Sequence, residues 1–239
     1  MNKPKIDITL IENLLQEGVI AKENQDFRTA AGIFTDVIIY SHDLNYPHGV
    51  LHGLLNMGSI WKLKTRDVSS PDFARFARLN FLEAAEYAKT HDLPEEEVIH
   101  AKFLLGQAEI ELGNFAEATS LYQEAYDYYT RHPRSKAHTG DIRRHLGTAL
   151  TKTGKLEEGI TMIEKGLEAI RTYDEADTYD KRNYVWETGA LLALSEAYIT
   201  TDIKKARKFA EEALQIATEK DLTIRKEQSR KAVEMLNKV

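Results

Sequence analysis

His48 and His52 stand four residues apart, which on a helix puts both imidazoles on one face, a spacing suited to metal ligands. No HEXXH motif accompanies them and no carboxylate follows nearby, so no metal is expected there. The most basic stretch, Arg131 to His145, sets Arg131, Arg134, Lys136, Arg143 and Arg144 against Asp141 alone. It could receive an acidic peptide, a phosphate or an anionic surface, although such runs are more often solvated connectors. An acidic run, Asp174, Glu175, Asp177 and Asp180, is a candidate counterpart across an oligomer contact. Glu95–Glu97 and Glu157–Glu158 suit the first turns of helices, where carboxylates complement the dipole. Trp61, Trp186 and the tyrosines from Tyr122 to Tyr129 read as packing rather than as a ligand box. The chain has no cysteine, which removes disulfides, Cys-ligated zinc and thiol catalysis. No Gly-rich phosphate loop, nucleophile elbow or Ser–His–Asp arrangement is apparent, so neither an enzyme nor a cofactor is expected.

The elements that must position these residues are organised around the stretch from Phe103 to Tyr129. Counted from Gly106, a small residue comes two on (Ala108), an aromatic nine on (Phe115) and alanine twelve on (Ala118). An aromatic follows sixteen on (Tyr122) and alanine nineteen on (Ala125). Gly106 and Ala108 leave one helix face without bulk, so that a second helix can approach. Phe115 and Tyr122 fill the space between, and Gly113–Asn114 supplies a turn that accepts positive φ. From Gly147 the same offsets give Ala149, Leu156, Gly159, Ile163 and Gly166. From Gly18 they give Ile20, Phe27, Ala30, Phe34 and Val37. Gly58 and Ile60 begin another copy whose Ala77, Phe81 and Ala84 arrive seven residues late. In a fifth, Ser195 replaces the glycine and Ala206, Ala210 and Ala213 come one residue early.

This spacing resembles the tetratricopeptide repeat, a helix–turn–helix unit of about 34 residues. The units here are longer than that, and in length alone they are similar to the long-helix repeats of kinesin light chains and bacterial peptide-sensing regulators. The expected architecture is all-α: a right-handed superhelical solenoid of five helix pairs in one domain over residues 1–239. The pairs should cover about 6–43, 46–91, 94–131, 139–173 and 182–219, and an amphipathic helix over 223–238 should cap the open end. Asp26 is placed to cap the second helix, and Ser70–Pro71 and Asp92–Glu95 read as further helix starts. Residues 133–140 read as a connector, with Pro133 and Gly140 as its turn signals. The extra residues after Leu63 read as a surface loop or an added helical turn on each side, either tolerated length or a recognition feature.

The resemblance implies a concave groove lined by the first helix of each pair, in which an extended or helical peptide binds. Carried over position by position, the groove would hold Gln16, His52, Asn56, Ser59, His100 and Gln107. Further along it would hold Asp141, Arg144, His145, Thr148, Lys152 and Glu196. Asn56, Arg144, His145 and Lys152 are the groups able to grip a peptide backbone or carboxylate, arginine by forked hydrogen bonds and lysine as a point charge. The repeats that clamp chaperone tails need Lys and Asn where this chain has Leu15 and Val19, and basic residues where it has His100 and Leu104. A chaperone tail is therefore not the expected partner.

With 239 residues, 42% apolar and 29% charged, the chain can bury a substantial core and is not of disordered composition. The formal charge of −6 argues against general nucleic-acid binding. The N-terminal stretch is broken by Asp7 and Glu12, and no apolar run reaches the length of about 18 residues that marks a membrane span. The expectation is thus a cytoplasmic, non-catalytic scaffold or adaptor for a protein or peptide partner. A peptide- or anion-responsive sensor acting in trans is the alternative, and a self-assembling homo-oligomer is a third.

Overall fold

Among the described residues, short turns bring successive helices back against one another. In the computed structural model, which describes residues 6–68, 70–172 and 181–238, the described residues form eleven α-helices. These are α1 (Ile8–Glu23), α2 (Phe27–Asp43), α3 (Pro47–Val68), α4 (Pro71–Thr90), α5 (Glu95–Glu111) and α6 (Phe115–Arg131). They continue as α7 (Lys136–Lys152), α8 (Leu156–Arg171), α9 (Lys181–Tyr198), α10 (Ile203–Glu219) and α11 (Thr223–Leu236). The chain divides into two compact units between Leu121 and Tyr122, within α6.

In the first unit each helix from α1 to α4 packs on the next, and α1 also meets α3, which in turn meets α5. In the second unit α7 packs on α8, α8 on α9, α9 on α10 and α10 on α11, while α7 and α11 both flank α9. Within each unit, therefore, alternate helices lie side by side. The repeat offsets explain why. A Cβ on Gly18 would lie 2.6 Å from Phe34 Cε1, and one on Gly58 2.5 Å from Phe81 Cε1. The missing side chain on the first helix is the space that the aromatic of the second helix occupies. Phe34 and Phe81 are accordingly fully buried. In the fifth pair the volumes are exchanged: buried Ser195 stands for the glycine, and fully buried Ala210 for the large residue. α11 buries Leu236 with Ala206 and Ala210 of α10, and Arg207 Nη2 donates to the Leu236 carbonyl at 2.9 Å. It covers the end of the second unit as the sequence led one to expect.

The turns share one construction. Gln25, Asn45, Asp92, Gly113, Gly154 and Asp221 all have φ between +50° and +88°. Each is followed by an N–H that reaches back five residues to a helix carbonyl, as in Asp26 to Ala21 at 2.9 Å and Asn114 to Glu109 at 2.9 Å. This is the Schellman closure, which satisfies carbonyls that the helix end would leave unpaired. Gly113 and Gly154 were readable as turns; the four non-glycine positions were not. A Gln25→Gly variant is expected to gain about 0.5–1 kcal/mol, because the left-handed conformation costs a side-chain-bearing residue about 1–2 kcal/mol and glycine's looser unfolded chain returns part of that. Denaturant unfolding of the two proteins measures it, and a loss of stability would contradict the strain assigned to Gln25.

Several local expectations change. Asp26 does cap α2, accepting from Thr29 N at 3.1 Å. Asp92 is not a cap: it takes the positive-φ position, and Pro94 precedes α5. Ser70 stands at the N-cap of α4 without a side-chain hydrogen bond, the start being set by Pro71. The connector at 133–140 is shorter than expected, since Ser135 accepts from His138 N at 3.1 Å and α7 begins at Lys136. Gly140 lies inside α7 rather than in a turn, where its bareness lets α7 touch α8. Of the two forms expected for the extra residues after Leu63, the described ones take the added helix. α3 runs on to Val68 and α4 begins at Pro71, with Trp61 stacked on Phe73 at 5.8 Å and Lys64 Nζ 5.7 Å from that ring. The acidic run Asp174, Glu175, Asp177 and Asp180 lies outside the described residues.

Candidate functional site

In the first unit α1 and α3 are neighbours because Gly18, Phe34 and Ile60 pack beneath them. The face they leave is a cleft of about 640 Å³ lined by Glu12, Leu15, Gln16, Val19, Ile20, His52 and Asn56. Leu15 and Val19 form an apolar floor, and Ile20 stays exposed at the wall. Three of the groove residues named from sequence, Gln16, His52 and Asn56, therefore meet in one cleft. Lys22, which the sequence did not single out, reaches the same place: its Nζ donates to Asn56 Oδ1 at 2.7 Å, and Asn56 Nδ2 donates to the His52 carbonyl at 2.9 Å. Burial pushes the Lys22 pKa down, and the adjacent Glu23 carboxylate works against that shift. At the start of α3, the Tyr46 hydroxyl is pushed up in pKa by burial first, then by the charge of Glu12 and its hydrogen bond to that carboxylate.

Ser59, one turn further along α3, turns its hydroxyl back to the Leu55 carbonyl at 2.9 Å. On α5, Gln107 accepts from Lys62 Nζ, and His100 is half-buried. Nearer the N-terminus of α5, Glu97 comes up to the histidine pair. Its Oε1 lies 4.0 Å from His48 Nδ1 and 4.0 Å from His52 Nε2, and the three ligand atoms lie within 4.8 Å of one another. The carboxylate that the sequence lacked beside these histidines is thus brought from the next pair by the packing of α3 on α5. No local signal could have found it, because Glu97 reads in sequence as an ordinary acidic first-turn residue.

In the second unit the remaining groove residues lie on α7 and α9. Asp141 and Arg144 are both buried, and Arg144 Nε and Nη2 donate to Asp141 Oδ1 at 2.9 and 2.7 Å. His145 joins them, hydrogen-bonded with Arg144 and with its Nε2 3.8 Å from Asp141 Oδ2. Gly189 on α9 makes room for the group, since a Cβ there would lie 3.6 Å from Arg144 Cζ and 3.0 Å from Arg225 Nη2. Thr148 turns back to the Arg144 carbonyl at 3.0 Å, and Lys152 pairs with Glu196 across α7 and α9. The sequence read Arg144 as an open fork on the expected groove face. Its guanidinium is instead held by Asp141, which fixes its position in advance of any ligand.

The basic stretch is similarly engaged. Arg143 stacks over Tyr126 at 5.4 Å and donates to its hydroxyl at 2.9 Å, Arg134 sits 5.4 Å from the Tyr129 ring, and Arg131 Nε donates to the Asp127 carbonyl at 3.2 Å. Among the described residues no helix is long and apolar enough to cross a membrane.

No family model matches the sequence, and no curated protein matches it. Solved structures do match in fold. BtubC (BKLC) from P. vanneervenii superposes with a TM-score of 0.66 at 18% identity, over 89% of this chain and 82% of that one. A putative kinesin light chain from P. anserina, with nearly identical TPR-like repeats, gives 0.61 at 13% identity over 89% and 97%. The quorum sensor NprR from B. thuringiensis gives 0.62 at 14% identity over 95% of this chain and 58% of that one.

Proposed function

Because the chain has the fold of a tetratricopeptide-repeat protein, we propose that it is a non-catalytic adaptor that holds a peptide segment of a partner protein in the cytoplasm. The observation that carries this reading is the cleft between α1 and α3, where an apolar floor of Leu15 and Val19 is edged by Gln16, His52 and Asn56. An apolar surface with a few placed polar groups is the usual form of a ligand site. An aliphatic or aromatic side chain of the peptide fills the cleft, while the Gln16 and Asn56 amides meet its backbone. Within the second unit taken by itself, the prearranged Arg144–Asp141 pair and the Lys152–Glu196 pair are a separate candidate surface whose charges need little reordering on binding.

A random peptide library displayed on phage and selected on the whole chain tests this. Selected peptides are expected to share one apolar anchor residue. Ile20→Asp or Asn56→Ala should weaken them roughly tenfold or more, the scale of a hot-spot contact. Ile39→Asp, at an equally exposed position on α2, should not. Peptides whose binding survives Ile20→Asp and fails on Ile39→Asp would move the site to α2 and end the cleft assignment.

A further inference from the structure

We propose that His48, His52 and Glu97 form a binding site for a divalent transition metal, with Zn²⁺ the best fit, joining the second helix pair to the third. The site shares His52 with the edge of the peptide cleft, but the proposal rests on the ligand geometry and not on peptide binding. His48 and His52 sit in the first two turns of α3, where the four-residue spacing stacks both imidazoles on the side that faces α5. Glu97 is the member of the acidic first turn of α5 that lies against them. Its side chain is 20% exposed, and those of His48 and His52 are 41% and 43% exposed.

The donor set selects the metal. Two imidazole nitrogens and one carboxylate oxygen, with no thiolate, suit a borderline ion such as Zn²⁺, whereas Mg²⁺ and Ca²⁺ prefer oxygen ligands throughout. Zinc bonded at about 2.0–2.1 Å in a tetrahedron brings its ligand atoms to roughly 3.3 Å from one another. The three atoms here lie within 4.8 Å, with both histidine–glutamate distances at 4.0 Å. Partly exposed side chains close that gap by rotation about their own bonds, without moving either helix. Three protein ligands leave a fourth position for water or for a donor from outside.

An ion held this way ties α3 to α5, so it stabilises the folded chain by an amount that rises with the logarithm of free ion concentration above Kd. Uptake of Zn²⁺ by the untagged, full-length protein is the first measurement, by calorimetric titration with zinc chloride. One equivalent per chain is expected, with a rise in the melting temperature. His52→Ala and His48→Ala, both at half-exposed positions that leave the fold intact, should each weaken uptake by more than the 10- to 100-fold typical of losing an outer partner of a metal ligand. Glu97→Gln keeps the shape but removes the charge and should weaken it too. Co²⁺ in place of Zn²⁺ should give visible absorption bands of four- or five-coordinate metal, lost in His52→Ala. Absence of saturable uptake overturns the proposal. So does uptake that the His48→Ala/His52→Ala protein retains, since the ion would then lie on other histidines.

Discussion

Replacing Gly166 with alanine is expected to destabilise the protein by about 2 kcal/mol, while the same change at Gly32 should stabilise it by about 0.5–1 kcal/mol. Both glycines lie within helices, so alanine brings each of them the same gain in helix propensity, about 1 kcal/mol. What differs is the space. A Cβ at Gly32 meets nothing within 4 Å. At Gly166 it would lie 2.7 Å from the Gly140 carbonyl oxygen and 3.1 Å from Arg144 N, both backbone atoms of α7. Gly140 is equally constrained, 2.6 Å from the Gly166 oxygen, and Gly147 and Gly159 repeat the arrangement further along the same two helices. Backbone cannot rotate away as a side chain does, so α7 and α8 must separate and loosen the packing on both sides. Overpacking of this kind reaches about 3 kcal/mol, which exceeds the propensity gain. Urea unfolding followed by circular dichroism reads both signs. A shift in the same direction for the two variants would show that the α7–α8 contact is looser than its glycines suggest.

The second large effect belongs to Arg78. Its Nε donates to Glu109 Oε1 at 2.7 Å, and the other oxygen of that carboxylate accepts from Asn114 Nδ2 at 2.6 Å. Glu109 is only 1% exposed, whereas the Arg78 side chain keeps 40% of its surface in water. The two partners are therefore unequal. Arg78→Met strands a buried carboxylate without a counter-charge and should cost about 2–3 kcal/mol, somewhat less than the 3–5 kcal/mol of a fully buried pair. Glu109→Leu frees an arginine that can turn to solvent and should cost about 1 kcal/mol. The double variant Arg78→Met/Glu109→Leu should then be more stable than Arg78→Met alone, because nothing charged remains buried. Stability measured across all four proteins decides it. If Glu109→Leu proves the most damaging single change, the carboxylate is not being held against its burial by Arg78.

Much of the architecture was legible because tetratricopeptide packing is local. Gly18 with Phe34, Gly58 with Phe81 and Gly147 with Ile163 record in sequence the contact between a helix and the one that follows it. Such a contact joins residues separated by one turn, so it imposes a spacing that survives even when the extension of α3 delays its second half. The turns were half legible. Gly113 and Gly154 announce positive φ, whereas Gln25, Asn45, Asp92 and Asp221 adopt it because the N–H that follows closes the helix end. That demand belongs to the helix terminus and not to the residue type.

The candidate sites divide in the same way. The amino-acid sequence by itself determined the repeat offsets, and the resemblance that those offsets carry implied groove positions such as Gln16, Asn56, Arg144 and Lys152 on the first helix of each pair. Only the tertiary structure decided what those residues meet. Lys22 occupies Asn56, Glu196 meets Lys152, and Glu97 arrives beside His48 and His52 from the following pair. These encounters depend on the lateral packing of alternate helices, α1 against α3, α3 against α5 and α7 against α9. A whole helix and two turns intervene in the chain between such neighbours, so no spacing rule connects them, and their meeting is set by how each pair stacks on the last.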